Sequence, residues 1–206
     1  LEKGQIYESN SRAIIDALKE LNCLPIDLGN AKDTKEELRE KIQRGVKEAD
    51  IVLMTGGSSL GATDLLVDVI KELGELLTHG IAIKPGKPTI ISNIGGKLVF
   101  GLPGHPASAL TNFYVLIKPL LLKMQGVEKT DEWLIEAQLT RKIASTIGRY
   151  EFLTVKLNKT GDRIFAEPIL KGSSALTTLS NADGFIEIDE NVEVVEKGEI
   201  VKVQLF

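Results

Sequence analysis

Residues 51–64 read IVLMTGGSSLGATD, and this stretch decides the fold class. Its first part, Ile51–Met54, is continuously apolar, as expected of a strand that helices cover on both faces. A loop rich in glycine and serine follows, and we expect a helix from about Asp64 to Leu73. A strand, a glycine loop and a helix in this order are typical of an α/β domain with a parallel sheet.

The same alternation continues along the chain up to residue 126. Residues 34–37 form a capping box, in which the Thr34 hydroxyl accepts from the Glu37 amide while the Glu37 side chain reaches back. Leu38 and Ile42 mark one face of the helix that follows. Further apolar runs lie at residues 81–83, 89–91 and 98–100. One long helix is expected at residues 107–124. We therefore expect residues 1–126 to form an α/β domain with a mostly parallel sheet and helices on both faces.

The chain changes character near residue 126. Most of its 19 glycines lie before that point, and residues 1–126 are balanced in charge, so that the net charge of −4 lies in residues 127–206. Five short apolar or alternating runs then follow, at residues 133–139, 152–157, 163–169, 185–188 and 200–205. This pattern predicts a small all-β domain, a barrel or a sandwich, over residues 127–206.

Composition excludes several classes of protein. The 206 residues are 43% hydrophobic and 26% charged, which is ordinary for a globular chain with a core. The net charge of −4 gives no support for binding nucleic acid, and no apolar run approaches the roughly 20 residues of a membrane span. A single cysteine, Cys23, fits a reducing cytoplasm. Because the chain starts at Leu1 rather than at methionine, we expect a fragment of a longer protein.

The loop after Met54 is the first candidate anion site. Glycines at 56, 57 and 61 let backbone amides approach an anion, serines at 58 and 59 can donate as well, and a helix begins just beyond. The spacing matches neither the phosphate loop of nucleoside triphosphatases nor the dinucleotide fingerprint. The alternative is a tight turn in which Thr63 or Asp64 only caps the helix.

Two further segments interrupt the pattern. Lys84–Pro88 reads KPGKP, so that prolines hold two ammonium groups near each other; the alternative is a pair of solvated lysines. Gly101–Ser108 reads GLPGHPAS, with His105 where a ligand can be touched and Pro106 at a helix start; the alternative is a structural histidine. Because ligands bind outside the carboxyl ends of strands in open α/β sheets, we expect the three segments to form one site.

Together these motifs resemble the molybdopterin molybdenumtransferases, the family that inserts molybdate into molybdopterin. The three segments follow in the family's order, after GQIYESN at residues 4–10. In the second part, GRYEF at residues 148–152, KGSSAL at 171–176 and NADGFI at 181–186 fit the family's last β-domain. The resemblance therefore covers nearly the whole chain.

The resemblance implies a transferase of molybdenum cofactor biosynthesis that is cytoplasmic and homodimeric, with small molecules as substrates. Its reaction is Mg²⁺-dependent and acts on adenylylated molybdopterin: molybdate enters the dithiolene and AMP is released. Asp64, Lys84 and Lys87 would be catalytic. Asp64 would also serve the metal, and the two lysines together with Ser108 would hold molybdate. The implied binding residues are Gly56, Gly57, Ser58, Ser59, Gly61, Pro103, Gly104, His105, Pro106, Ser108, Arg149, Ser173 and Ser174.

The sequence departs from the family pattern at several positions. The family usually has asparagine in place of His105, Asp-Asp in place of Asp33-Thr34, and a basic residue in place of Val67. The family's two N-terminal domains, which complete the active site across a dimer, are also absent. These departures keep open a non-catalytic module that binds molybdopterin or an oxyanion as sensor or carrier. A single-domain adenylyltransferase is a weaker alternative, because residues 127–206 count against it.

Overall fold

The computed structural model describes residues 8–56, 62–127, 134–170 and 179–206, with only the backbone of 62–64. The helices within these ranges are α1 (Asn10–Glu20), α2 (Lys35–Glu48), α3 (Ala62–Leu73), α4 (Pro106–Asn112) and α5 (Lys118–Met124), with a π-helical stretch at Phe113–Ile117. The strands are β1 (Ile51–Thr55), β2 (Glu75–His79), β3 (Ile83–Lys84), β4 (Ile90–Ile94), β5 (Lys97–Leu102), β6 (Leu134–Leu139), β7 (Ile143–Ala144), β8 (Tyr150–Thr160), β9 (Arg163–Pro168), β10 (Gly184–Ile188), β11 (Val194–Val195) and β12 (Ile200–Leu205).

The chain divides into two compact units. The first consists of Leu1–Ile81 and Gly86–Phe113, and the second of Ala82–Pro85 and Tyr114–Phe206. The chain thus leaves the first unit for a few residues, adds β3 to the second, and returns. The first unit is mixed α/β and the second contains a small β-barrel, which confirms the predicted fold at that level. The domain boundary near residue 126 stays a prediction.

The sheet of the first unit has the order β1-β5-β4-β2 among the described residues. Only β1 and β5 pair in parallel; β5–β4 and β4–β2 are antiparallel. The predicted mostly parallel sheet is therefore not found in the described residues, where the sheet is mixed. The reason is local: Gly95 and Gly96, with φ of +60° and +82°, join β4 to β5 in a two-residue hairpin turn, which only antiparallel strands permit.

The core of the first unit lies between α2, α3 and one face of the sheet. Thr34 Oγ1 caps α2 by accepting from the Glu37 amide at 3.4 Å, and Leu38 and Ile42 are buried as predicted. They pack with residues of α3 and the sheet: Val52, Leu66, Val67, Val69, Ile70, Ile90, Ile94 and Val99. Because β5 is buried at four successive residues, 99–102, both of its faces are covered.

The predicted long helix at 107–124 is present but not uniform. It begins at Pro106, passes through the π-helical stretch and continues as α5 to Met124. Pro119 lies just after that stretch. Because proline lacks an N–H and its ring clashes with the carbonyl of the preceding turn, a wider turn before it relieves the clash.

The second unit is built on a closed ring of five strands. The ladder runs β10-β12-β6-β9-β8, and β8 pairs in turn with β10, so the ring has no open edge. These strands correspond to the five apolar runs of the sequence, and the barrel alternative is confirmed over the sandwich. Its core includes Ala137, Leu139, Val155, Ile186 and Val203.

None of the helices in the described ranges is both long enough and apolar enough to span a membrane.

Candidate functional site

Two of the three predicted segments leave the sheet side by side. Because β1 and β5 are parallel, their last residues, Thr55 and Leu102, are partners in the ladder. Gly56 follows Thr55 with φ of +95°, which favours glycine. Pro103 and Gly104 follow Leu102 at the same edge of the sheet. The parallel pairing of β1 and β5 therefore places the start of the glycine loop next to the GLPGHPAS segment, as predicted.

The third segment reaches the same edge in another way. We expected the Lys84–Pro88 turn to follow the carboxyl end of a strand of this sheet. That expectation is wrong, because β3 belongs to the second unit, where it pairs with β8. The part of the turn in the first unit, Gly86–Thr89, precedes β4 instead. Since β4 is antiparallel to β5, with Ile90 opposite Gly101, the beginning of β4 lies at the carboxyl end of β5.

The Gly86–Thr89 segment is held by a buried hydrogen-bond network. Thr89 Oγ1 donates to the Gly86 carbonyl at 2.7 Å. Asn112, the last residue of α4, donates from Nδ2 to the same carbonyl at 3.3 Å and to Thr89 Oγ1. Both Thr89 and Asn112 are 0% exposed. The network fixes the backbone immediately before Lys87, whose side chain is exposed.

The GLPGHPAS segment is anchored from α1. Asn10 is 8% exposed and donates from Nδ2 to the Gly104 carbonyl at 2.9 Å. His105 is the exposed N-cap residue of α4, and its side chain makes no capping hydrogen bond. Pro106 occupies the first helical turn, and Ser108 behind it is 5% exposed.

Lys84 lies in the second unit and has a specific partner there. It faces Glu151 across the parallel β3–β8 ladder, and its Nζ lies 3.0 Å from Glu151 Oε1. The Glu151 side chain is only 9% exposed, and its Oε2 accepts from Ser145 Oγ at 2.7 Å. The Lys84 ammonium is therefore partly neutralised, whereas no ion pair of Lys87 is found among the described residues.

Arg149 lies half-buried directly before β8. The next residue, Tyr150, has an acidic neighbourhood: the charge of Asp189, followed by that of Glu190, raises the pKa of its hydroxyl. The pKa of Asp189 is itself lowered, chiefly because the Asn191 backbone N–H donates to its carboxylate, at 2.9 Å. Tyr150, the residue after Arg149, thus lies near several carboxylates.

Part of the predicted site lies outside the described residues: Gly57, Ser58, Ser59, Gly61, Ser173 and Ser174. Asp64 is described by its backbone alone, as the third residue of α3. Mg²⁺ takes oxygen ligands and is commonly held by one or two carboxylates together with substrate phosphates. A single carboxylate that follows the predicted anion site, as Asp64 does, would fit that pattern. Among the described residues, no three or more His, Cys, Asp or Glu side chains could hold a metal together.

Two of the sequence departures have structural explanations. Val67 belongs to α3, is 8% exposed and packs in the hydrophobic core, so an apolar side chain is suited to this position. Thr34 is the N-cap of α2; its own amide donates to the Lys32 carbonyl at 2.7 Å, not to Glu37 as predicted.

Sequence reasoning gave no role at the site to four polar residues that shape this region: Asn10, Thr89, Asn112 and Glu151. Asn112 lies on a helix that also carries Ser108 and Thr111, whereas Glu151 is the one acidic residue of the Tyr150–Val155 run of β8. An acidic side chain in a largely apolar run is the signal that could have identified Glu151, whereas no comparable signal marks Asn112. The partners of these residues could not have been inferred from the sequence. Those of Asn112 lie 23 or more residues away along the chain, and Lys84, the partner of Glu151, lies on another strand.

The fold and the loop arrangement define an α/β ligand-binding domain followed by a barrel domain. Comparison with known families agrees: residues 1–123 match the family described as "Probable molybdopterin binding domain", and residues 136–206 match the MoeA C-terminal region, domain IV. The chain belongs to the molybdopterin-binding domain family.

Similar proteins carry related names. A molybdopterin molybdenumtransferase of Haemophilus influenzae is 31% identical over 212 residues, which cover 100% of this chain and 52% of the relative. A protein of Methanocaldococcus jannaschii, named as a candidate molybdopterin biosynthesis protein, is 36% identical over 98% of this chain and 48% of its own. The crystal structure of a molybdopterin biosynthesis MoeA protein from Pyrococcus horikoshii has a TM-score of 0.87 and 49% identity, over 100% of this chain and 49% of that one. The chain thus spans about half the length of these relatives.

Proposed function

We propose that this chain is part of a molybdopterin molybdenumtransferase. The proposed reaction is the Mg²⁺-dependent insertion of molybdate into adenylylated molybdopterin, with release of AMP. The observation that carries the proposal is the shared sheet edge, where Thr55 and Leu102 are ladder partners and the Gly86–Thr89 segment arrives beside them. Three polar, glycine-containing segments at one edge suit a ligand with several anionic groups.

The residues take complementary roles in this proposal. The loop that begins at Gly56 and includes Gly57 and Ser58 would bind phosphate through backbone amides, with Asp64 holding Mg²⁺ next to it. Mg²⁺, when bound, neutralises phosphate charge. Lys87 would bind the molybdate oxyanion, since its exposed ammonium is not engaged by a described carboxylate. For Lys84, Ser108, Arg149, Ser173 and Ser174 the molybdate- or pterin-binding roles stay predictions.

An AMP-release assay tests the proposal. The full-length gene product is incubated with adenylylated molybdopterin, molybdate and Mg²⁺, and AMP is quantified against reactions that omit molybdate. We expect release that depends on molybdate. A protein that binds molybdopterin tightly and releases no AMP would instead support the second candidate, a sensor or carrier module. That candidate is favoured by one observation, the buried Val67 in place of the family's basic residue.

The homodimer that the resemblance implies is also a proposal. Light scattering coupled to size-exclusion chromatography of the full-length gene product should report twice the mass of one chain. A monomer at micromolar concentration would contradict it.

A further inference from the structure

The backbone on both sides of Lys87 is unusually well restrained. The Gly86 carbonyl, which belongs to the peptide that links Gly86 to Lys87, accepts from Thr89 Oγ1 and from Asn112 Nδ2. The Lys87 carbonyl accepts from the amides of Ile81 and Thr89, at 2.9 and 2.8 Å. Each of the two peptides that flank Lys87 therefore has a carbonyl with two donors, while the side chain between them is exposed.

Burial of the Asn112 side chain carries an energetic cost. The side chain is 0% exposed, and its Oδ1 has no hydrogen-bond partner among the described residues. A buried acceptor without a partner destabilises the folded state, because it has lost its hydrogen bonds to water. An apolar residue that served only packing would avoid that cost. The unpartnered oxygen of Asn112 therefore needs an explanation, which we seek in the contacts made by the rest of its side chain.

What the side chain does is enclose Gly86. A Cβ on Gly86 would lie 2.2 Å from Asn112 Oδ1, so the oxygen rests against the glycine backbone. On the other side of the amide, Nδ2 donates to the Gly86 carbonyl. Gly86 also has φ of +121°, a conformation that favours glycine. Asn112 and Gly86 therefore fit each other, and the result is one defined conformation of the peptide before Lys87.

We propose that Asn112 and Thr89 are positioning residues for Lys87: through the Gly86 carbonyl they hold its backbone so that the ammonium is presented to the oxyanion substrate. This inference rests on the proposed function. A flexible lysine must lose side-chain conformational entropy when it binds an anion, and it loses more when the backbone is mobile too. Restraining the backbone beforehand removes the second part of that cost.

The test measures molybdate affinity of the full-length gene product by isothermal titration calorimetry with sodium molybdate. Thr89→Val removes the hydroxyl at nearly constant shape, and Thr89→Ser keeps it. Asn112→Ala removes both amide contacts. Ser92→Ala is the matched control, since Ser92 is also 0% exposed on β4 but donates to the Val99 carbonyl, away from the turn.

We expect Thr89→Val and Asn112→Ala to raise the molybdate Kd roughly three- to tenfold, with Thr89→Ser and Ser92→Ala within about twofold of wild type. In AMP release, the same variants should raise the molybdate concentration for half-maximal rate and leave the maximal rate unchanged. A merely structural role would lower the melting temperature without this split. Should Asn112→Ala fail to fold, the Thr89 pair decides.

Two results distinguish failure of this inference from failure of the proposed function. If Lys87→Ala loses molybdate binding while Thr89→Val binds like wild type, or like Thr89→Ser, the positioning role is overturned and the proposed function stands. If Lys87→Ala binds molybdate like wild type, the oxyanion role of Lys87 fails, and the positioning role fails with it.

Discussion

Lys84 and Glu151 form an ion pair across the β3–β8 ladder, with Nζ 3.0 Å from Oε1. Lys84 retains 42% of its side-chain exposure, whereas Glu151 retains 9%. The two lysines of the KPGKP turn thus differ: Lys84 already compensates a buried carboxylate in the second unit, while Lys87 carries an exposed ammonium in the first. The sequence alone does not distinguish the two lysines in this way.

Replacing Lys84 should destabilise the second unit. Lys84→Ala leaves the Glu151 carboxylate buried with Ser145 as its described partner, which should lower the free energy of unfolding by about 1–3 kcal/mol. Lys142→Ala is the control, because the Lys142–Glu196 pair has both side chains 57% exposed. Such an exposed pair contributes about 0–1 kcal/mol. Urea unfolding measures both, and equal losses would show that Glu151 does not depend on Lys84.

Gly86 should be far less tolerant of substitution than another glycine with positive φ. Gly161 has φ of +61° and open space where a methyl group would lie, so Gly161→Ala should cost about 1–2 kcal/mol from backbone strain alone. Gly86→Ala adds a collision with Asn112, and we expect a loss on the order of 4 kcal/mol. Thermal unfolding compares the two variants. Similar melting temperatures would mean that the Asn112 contact is not tight.

The Tyr150 hydroxyl should titrate at lower pH once Asp189 is neutralised. The charge of Asp189 is the main cause of the raised pKa of Tyr150, so Asp189→Asn should move that pKa toward its ordinary value. Ultraviolet absorbance of tyrosinate follows the titration, with Tyr150→Phe to assign it among the three tyrosines. Asp162→Asn, at the exposed β8–β9 turn, should leave it unchanged.

The sign of the linked stability effect follows from the same shift. Because the folded-state pKa of Tyr150 is raised above the unfolded one, its contribution to stability is present below the unfolded pKa and is lost as pH rises through the folded value. Asp189→Asn should therefore reduce the alkaline loss of stability that Tyr150 causes. An unchanged tyrosine titration in this variant would contradict the assignment of Asp189 as the cause.

Much of the fold could be predicted from local sequence patterns. The apolar run at Ile51–Met54, the Thr34 cap with Leu38 and Ile42 on one helix face, and the five barrel strands were all predictable, because each depends on residues close in sequence. The direction of strand pairing was not, since a short apolar run such as that of β4 looks the same whether it pairs in parallel or not. The strand β2, Glu75–His79, was not predicted at all. The Gly95-Gly96 turn was the available clue to the antiparallel hairpin.

Other features depend on contacts that periodicity cannot reveal. β3 is two residues long, so no pattern marks it as a strand of the second unit. The Lys84–Glu151 pair and the Asn112–Gly86 fit join positions distant in sequence. The predicted site residues could be named from motifs, but what holds them in place could not.

The most direct test of the account compares two lysines of the first unit in molybdate-dependent AMP release. Lys87 lies at the proposed site, whereas Lys47, also exposed, lies near the end of α2 before the amino end of β1, at the opposite edge of the sheet. Each alanine variant of the full-length gene product removes one positive charge. We predict that Lys87→Ala raises the molybdate concentration for half-maximal release about tenfold or more, while Lys47→Ala behaves like wild type. Equal molybdate dependence in the two variants would contradict an oxyanion site at this edge.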